Sequence, residues 1–111
     1  MNTSPISAVI VTTTGDSRAA LEQIAEALVK RKLAACCQIS APVTSVFRWE
    51  GRVDRSEEYV CSIKTTTAMI DSVESLIRER HSYEEPEVVV TPIIGGSESY
   101  LRWIVESVVK E

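Results

Sequence analysis

The chain has 111 residues, enough for one hydrophobic core and too few for two independent domains. A hydrophobic fraction of 44% beside 25% charged residues excludes an intrinsically disordered chain. A formal net charge of -4 argues against nucleic acid and against an anionic membrane surface, because both bind through clustered Lys and Arg.

The first predicted element runs from Ile6 to Val11 and on through Thr12, Thr13 and Thr14, a β-branched stretch that stops at the turn residues Gly15 and Asp16. From Ser17 the pattern becomes helical, with Leu21, Ile24, Ala25 and Leu28 on one stripe and Asp16 or Ser17 able to cap the start. The cationic run Lys30, Arg31 and Lys32 falls where this helix should end, and there it complements the dipole.

A second extended segment is predicted from Cys36 to Trp49, bent at Pro42, which cannot donate a ladder hydrogen bond. Trp49, Glu50, Gly51 and Arg52 read as a hairpin turn, so a third strand from about Glu57 to Thr65 should pair antiparallel with the second. A second helix fits Ala68 to Arg80, capped by Thr67, with Met69, Ile70, Val73, Leu76 and Ile77 at helical spacing. After the polar link His81 to Pro86, Val88 to Pro92 read as a short apolar strand ended by Gly95 and Gly96. Ser97 opens a last helix with Leu101, Ile104, Val105 and Val108 in line and Trp103 to one side.

The order β, α, β, β, α, β predicts an α+β, ferredoxin-like antiparallel sheet carrying two helices on one face, with a C-terminal helix added, all in one domain spanning 1–111. Such a sheet has a second face that its own two helices leave bare. Val88, Val89 and Val90 put apolar side chains on both faces of their strand, and Val60 points away from Tyr59, Cys61 and Ile63. Self-association is therefore expected to cover an apolar open face; the alternative is a monomer with the last helix folded across it.

Sharp enzyme signatures are absent: the chain has no phosphate loop, dinucleotide fingerprint, CxxC pair, HExxH or GxSxG. The Gly95, Gly96 step before a helix reads as a plain turn more readily than as an anion cradle. Three cysteines, Cys36, Cys37 and Cys61, include an adjacent pair that cannot bridge, so reduced thiols are expected. Met1 to Pro5 carries neither basic residues nor a long apolar run, and the expected location is cytoplasmic.

Thiolate and imidazole favour soft metal ions, but Cys36 and Cys37 on one strand point to opposite faces. A metal site would take one cysteine with His81 or a carboxylate from another subunit; the competing reading is cysteines as small buried apolar residues. Trp49, Glu50, Lys64, His81, Tyr83, Glu87, Tyr100 and Trp103 mix aromatic and charged groups at strand ends and loops. They suit a polar pocket with aromatic walls, or else anchors between subunits.

In chain order, LAAC at Leu33 to Cys36, the WEG turn at Trp49 to Gly51, KT at Lys64 and Thr65, and H-x-Y-x-x-P at His81 to Pro86 resemble the CutA family of divalent-cation tolerance proteins. Val11 to Thr14 and Tyr100 to Trp103 extend the resemblance almost end to end. One departure is Ser82, where the family usually has proline after the histidine, which leaves that loop less rigid. The resemblance implies a homotrimer built like the nitrogen-signalling PII proteins, and a role in tolerance of divalent cations, copper among them.

It also implies that Cys36 is the family's recurrent cysteine and His81 its loop histidine, while Trp49, Glu50, Lys64 and Tyr83 surround an intersubunit cleft to which Glu87 is added as a ligand-binding residue. The expectation is a non-enzymatic binding protein: Cu(II) or a similar divalent cation at Cys36 or His81, no organic cofactor, no nucleic acid or membrane, and an unidentified protein partner. The alternative is a PII-like sensor that holds a small anionic metabolite in the cleft through Lys64.

Overall fold

The computed structural model describes residues 7–108. Its elements are β1 (Ala8–Gly15), α1 (Arg18–Lys30), β2 (Cys36–Ile39), β3 (Val43–Trp49), β4 (Arg52–Thr66), α2 (Ile70–Arg80), β5 (Val89–Pro92) and α3 (Glu98–Ser107). The sheet is antiparallel in the order β2-β4-β1-β5, with β3 pairing β4 beyond the end of β2. This is the expected ferredoxin-like arrangement plus a C-terminal helix. The predicted start of the first strand at Ile6 lies outside the described residues.

Alternation along the central pair explains where the core sits. Val9 and Val11 of β1 pair with Thr65 and Ile63 of β4, and these residues join Leu21, Ile24 and Leu28 of α1 and Val73, Leu76 and Ile77 of α2 in one buried cluster. Each fully buried aliphatic side chain contributes about 1.5–3 kcal/mol by leaving water. Thr65 sits in this apolar layer because its hydroxyl donates to Leu33 O at 2.6 Å, whereas the fully buried Thr13 Oγ1 has no partner among the described residues.

Helix α1 starts where its cap dictates. Ser17 is extended and its hydroxyl accepts from the Ala20 amide at 3.1 Å, which settles the choice between Asp16 and Ser17. At the other end Lys32 takes a left-handed φ of 60°, the conformation usually given to glycine after a helix. Helix α2 differs from expectation: Thr67–Met69 form a 3-10 turn, and neither it nor α2 has a side-chain cap, so Thr67 is not a cap.

The single bent strand expected from Cys36 to Trp49 is two strands, broken at Ser40–Pro42. Pro42 has no amide to give to the ladder, and the Ser40 hydroxyl takes over locally by accepting from the Val60 amide at 2.9 Å. The third strand begins at Arg52 rather than near Glu57. Its first half, Val-Asp-Arg-Ser-Glu-Glu, lacks apolar alternation, and only backbone pairing with β3 reveals it as strand.

The open face carries part of the apolar surface expected of it. Ile10, Val60, Cys36 and Val89 share it by register with Thr12, Ser62, Lys64, Gln38 and Thr91, so it is mixed, apolar side chains alternating with polar ones. Helix α3 covers its Ala8 end, where Leu101 and Ile104 form a small second core with Ala8, Ala35 and Ile93. Exposed apolar side chains include Val89 on this face at the edge strand β5, Phe47 and Trp49 on its continuation along the β3–β4 hairpin, and Val46, Val53 and Val90 on the other side. The hairpin extends past the helix-covered sheet as an arm, and the molecule measures 49 × 27 × 23 Å.

Candidate functional site

The arm ends in a turn that its sequence makes unavoidable. Trp49 pairs with Arg52, leaving Glu50 and Gly51 as a loop of two residues with φ of 51° and 80°. Two consecutive positive φ values give the twist that suits a tight hairpin, and glycine supplies the second without strain. Below the tip, Ser45, Phe47 and Trp49 share one face of β3, and Ser56 and Glu58 of β4 lie on the same side by pairing.

Opposite this face stands the segment after α2, held by the only histidine. His81 Nε2 donates to Thr14 O at 2.6 Å, and its Nδ1 accepts from the Tyr83 amide at 3.0 Å, so the strand end fixes the tautomer and the ring in turn fixes the loop. The ring fits because residue 15 is glycine: a Cβ there would stand 3.3 Å from His81 Nε2. Tyr83 packs on the imidazole with centroids 4.6 Å apart, and its hydroxyl donates to Glu58 Oε2 at 2.8 Å. Desolvation, reinforced by that hydrogen bond, raises the Tyr83 pKa above the ordinary tyrosine range, so the phenol keeps its proton and stays a donor.

Between arm and loop lies a cleft of about 720 Å³. Val46, Phe47 and Trp49 make its apolar wall, Glu58 and Tyr83 its floor, and Glu84, Glu85 and Glu87 line the far side. Glu58 is only 8% exposed. Thr14 Oγ1 donates to Glu87 at 3.4 Å, and Arg78 reaches Glu85 at 3.5 Å. No lysine or arginine lines the cleft among the described residues.

Of the residues expected to bind a ligand, Trp49, Tyr83 and Glu87 meet in this cleft, and Glu50 and Lys64 do not. Glu50 is consumed by the turn and faces solvent at the tip. Lys64 lies six residues beyond Glu58 along β4, about 20 Å away at strand spacing, where its ammonium donates to Gln38 Oε1 at 2.6 Å. Tyr100 and Trp103 stack on each other on α3 at 5.3 Å and do not line the cleft. The sequence reading missed Glu58, Phe47 and Val46. Strand alternation from Lys64 backwards would have put Glu58 on the open face, but nothing local marks it as buried.

The two expected metal ligands are separated within the protomer. Cys36 pairs with Lys64, while Thr14, which holds His81, pairs with Val60 four residues along the same strand, a spacing of about 13 Å. Both ring nitrogens of His81 are already committed, so a metal at either would have to displace a bond that anchors the loop. Among the described residues no group of three or more His, Cys, Asp and Glu converges on a metal-sized point. All three cysteines are free thiols; a hydrogen bond to Cys61, together with burial, pushes Cys37 well above the usual thiol range.

The profile of the CutA1 divalent ion tolerance protein matches residues 9–107. The chain belongs to the CutA1 family. The divalent-cation tolerance protein CutA of Thermus thermophilus is 37% identical over 98 residues, 88% of this chain and 95% of that one. The chloroplastic protein CutA of Arabidopsis thaliana is 35% identical over 102 residues, 92% of this chain but 56% of its own length, so the chain spans little more than half of that relative. Among solved CutA1 structures, that of the psychrotrophic bacterium Shewanella superposes with a TM-score of 0.91 at 36% identity, covering 96% of this chain and 100% of that one. The Thermus thermophilus structure gives 0.89 at 35% identity, with 92% and 99% covered. No helix among the described residues is long and apolar enough to cross a membrane.

Proposed function

We propose that this CutA1 protein is a cytoplasmic homotrimer that confers tolerance to divalent cations, copper foremost, by binding them rather than by catalysing a reaction. The observation that carries the reading is the placement of exposed apolar surface on extended edges: Val46, Phe47 and Trp49 along the arm, and Val89 and Val90 on an edge strand of four residues with one unpaired side. Edges of that kind recruit other strands, and apolar patches on them are rarely left in water. Copies joined there bring several cysteines into one particle.

Cys36 is the proposed copper ligand. It is half-buried on the open face, away from the main core, with a polar neighbourhood of Lys64 and Gln38. A single thiol is an incomplete ligand set, so another copy, or a carboxylate from it, must supply the remainder. His81 serves as the structural control, since its nitrogens are occupied by the fold.

Sedimentation combined with Cu(II) titration of the wild type, Cys36→Ser and His81→Ala tests both halves. The expected result is a particle of three chains whose copper affinity falls in Cys36→Ser and is kept in His81→Ala. A single-chain species, or equal affinity in Cys36→Ser and the wild type, overturns the reading.

A further inference from the structure

Two cysteines take no part in the proposed copper site at Cys36, and both lie on the core side of the sheet. Cys36 faces the open side, so Cys37 faces the opposite one, where it pairs with Ile63 while Cys61 pairs with Ile39. Cys37 and Cys61 are therefore diagonal neighbours across β2 and β4, and their thiols interact directly. Cys61 is 0% exposed, and Cys37 is half-buried with its Sγ 3.9 Å from Ala25 O of α1. On the other side of Cys61 stands Thr13, its pairing partner on β1, whose buried Oγ1 has no partner among the described residues. A thiol pair and an idle hydroxyl thus share a layer that is otherwise largely aliphatic.

Spacing decides what the pair can do. Diagonal residues of an antiparallel ladder have Cα atoms about 7–8 Å apart. A disulfide closes only below about 7 Å, so direct oxidation would have to draw two core strands together. A metal ion between two thiolates spans more, since two bonds of about 2.3 Å in line hold the sulfurs about 4.6 Å apart. The ligand count narrows the choice of ion. Zn²⁺ takes about four ligands and Mg²⁺ or Ca²⁺ about six or more, but no group of three or more His, Cys, Asp and Glu converges among the described residues. Cu(II) prefers a tetragonal set of nitrogen and oxygen, whereas two soft sulfurs in line satisfy Cu(I).

We propose that Cys37 and Cys61 form a buried, two-coordinate site for Cu(I), entered through Cys37 and supported by Thr13. On binding, Cu⁺ forms a bond to each sulfur and each thiol releases its proton, which leaves a single net negative charge and changes no oxidation state. That charge gives the Thr13 hydroxyl the acceptor it lacks, because a thiolate accepts more strongly than a thiol. The site does not depend on Cu(II) binding at Cys36, since the adjacent cysteines point to opposite faces.

Cys36→Ser removes the open-face thiol and is the background for the test. In that background the full-length assembled protein competes anaerobically with bicinchoninate for Cu(I). Retention of one ion per chain is expected, with thiolate-to-copper absorption in the ultraviolet. X-ray absorption of the same sample should show two sulfur neighbours and no nitrogen or oxygen, a readout that needs no change in the core. Ag(I) should displace the ion and Zn(II) should not. Cys37→Ala and Cys61→Ala, with thermal melts to check the fold, should each abolish retention, and Thr13→Val should weaken it about tenfold. No retained Cu(I), displacement by Zn(II), nitrogen or oxygen in the ligand shell, or unchanged retention in a folded Cys37→Ala or Cys61→Ala overturns the proposal. Unchanged retention in Thr13→Val overturns the part given to its hydroxyl. Because Cys36 is already absent from these samples, this proposal and the one for Cu(II) at Cys36 fail separately.

Discussion

One strand passes through two very different environments. The C-terminal half of β4, from Tyr59 to Thr66, lies between β1 and β2 under both helices, and Cys61, Ile63 and Thr65 are 0% exposed. Its N-terminal half, from Arg52 to Glu57, pairs only with β3 and exposes most of its side chains. The first half is held by burial, the second by a backbone ladder and a two-residue turn. A two-stranded ribbon alone is marginal in water, and the self-association proposed above would give the arm's apolar surface further contacts.

The contrast predicts the largest effect in the core. Ile63→Ala should destabilise by about 2–5 kcal/mol through lost burial and the cavity left behind, measured by urea unfolding. Phe47→Ala, with the same kind of truncation on the arm, should cost the protomer under about 1 kcal/mol while weakening self-association in sedimentation. If the two variants lose similar stability and both keep their assembly, the division between core and arm is wrong.

At the border between the halves, Tyr83→Phe strips Glu58 of its hydrogen bond and should cost about 1.5 kcal/mol. It also tests the pH behaviour. The Tyr83 pKa is raised on folding, so the stability linked to its proton is full below the unfolded tyrosine value near 10 and is lost as pH rises through the higher folded value. The wild type should therefore lose stability in strong alkali more steeply than Tyr83→Phe, and a late phase of phenolate absorbance should vanish in the variant.

Smaller effects probe the helix-covered half. Thr13→Val replaces a buried hydroxyl that has no partner among the described residues, and should be neutral or stabilising by up to about 1 kcal/mol. A clear loss would mean that the hydroxyl is satisfied in solution. Lys32→Gly relieves a left-handed residue after α1 and should add about 0.5 kcal/mol in thermal melts.

Much of the helix-covered half was legible in the sequence. Leu21, Ile24, Ala25 and Leu28 announce the buried stripe of α1, and Val73, Leu76 and Ile77 that of α2, because a 3.6-residue period written into the chain survives folding unchanged. The arm was half legible. Gly51 declared the turn, but the polar run before Glu58 carries no period and becomes strand only through β3. Of the residues named for an intersubunit cleft, Trp49, Tyr83 and Glu87 line one cleft within the chain, and Glu50 and Lys64 lie outside it.

By itself the sequence determined the family, the order of elements and the inward faces, since these follow from local spacing and from short segments read in order. Tertiary structure alone decided that the open face mixes apolar and polar side chains, that His81 is a clamp between Thr14 and Tyr83, and that Glu58 is buried at the floor of an acidic cleft. Burial and charge at these positions are set by neighbours distant in the chain, Thr14 from His81 by 67 residues and Glu58 from Tyr83 by 25. No window of sequence contains both partners, so only the folded chain brings their chemistry together.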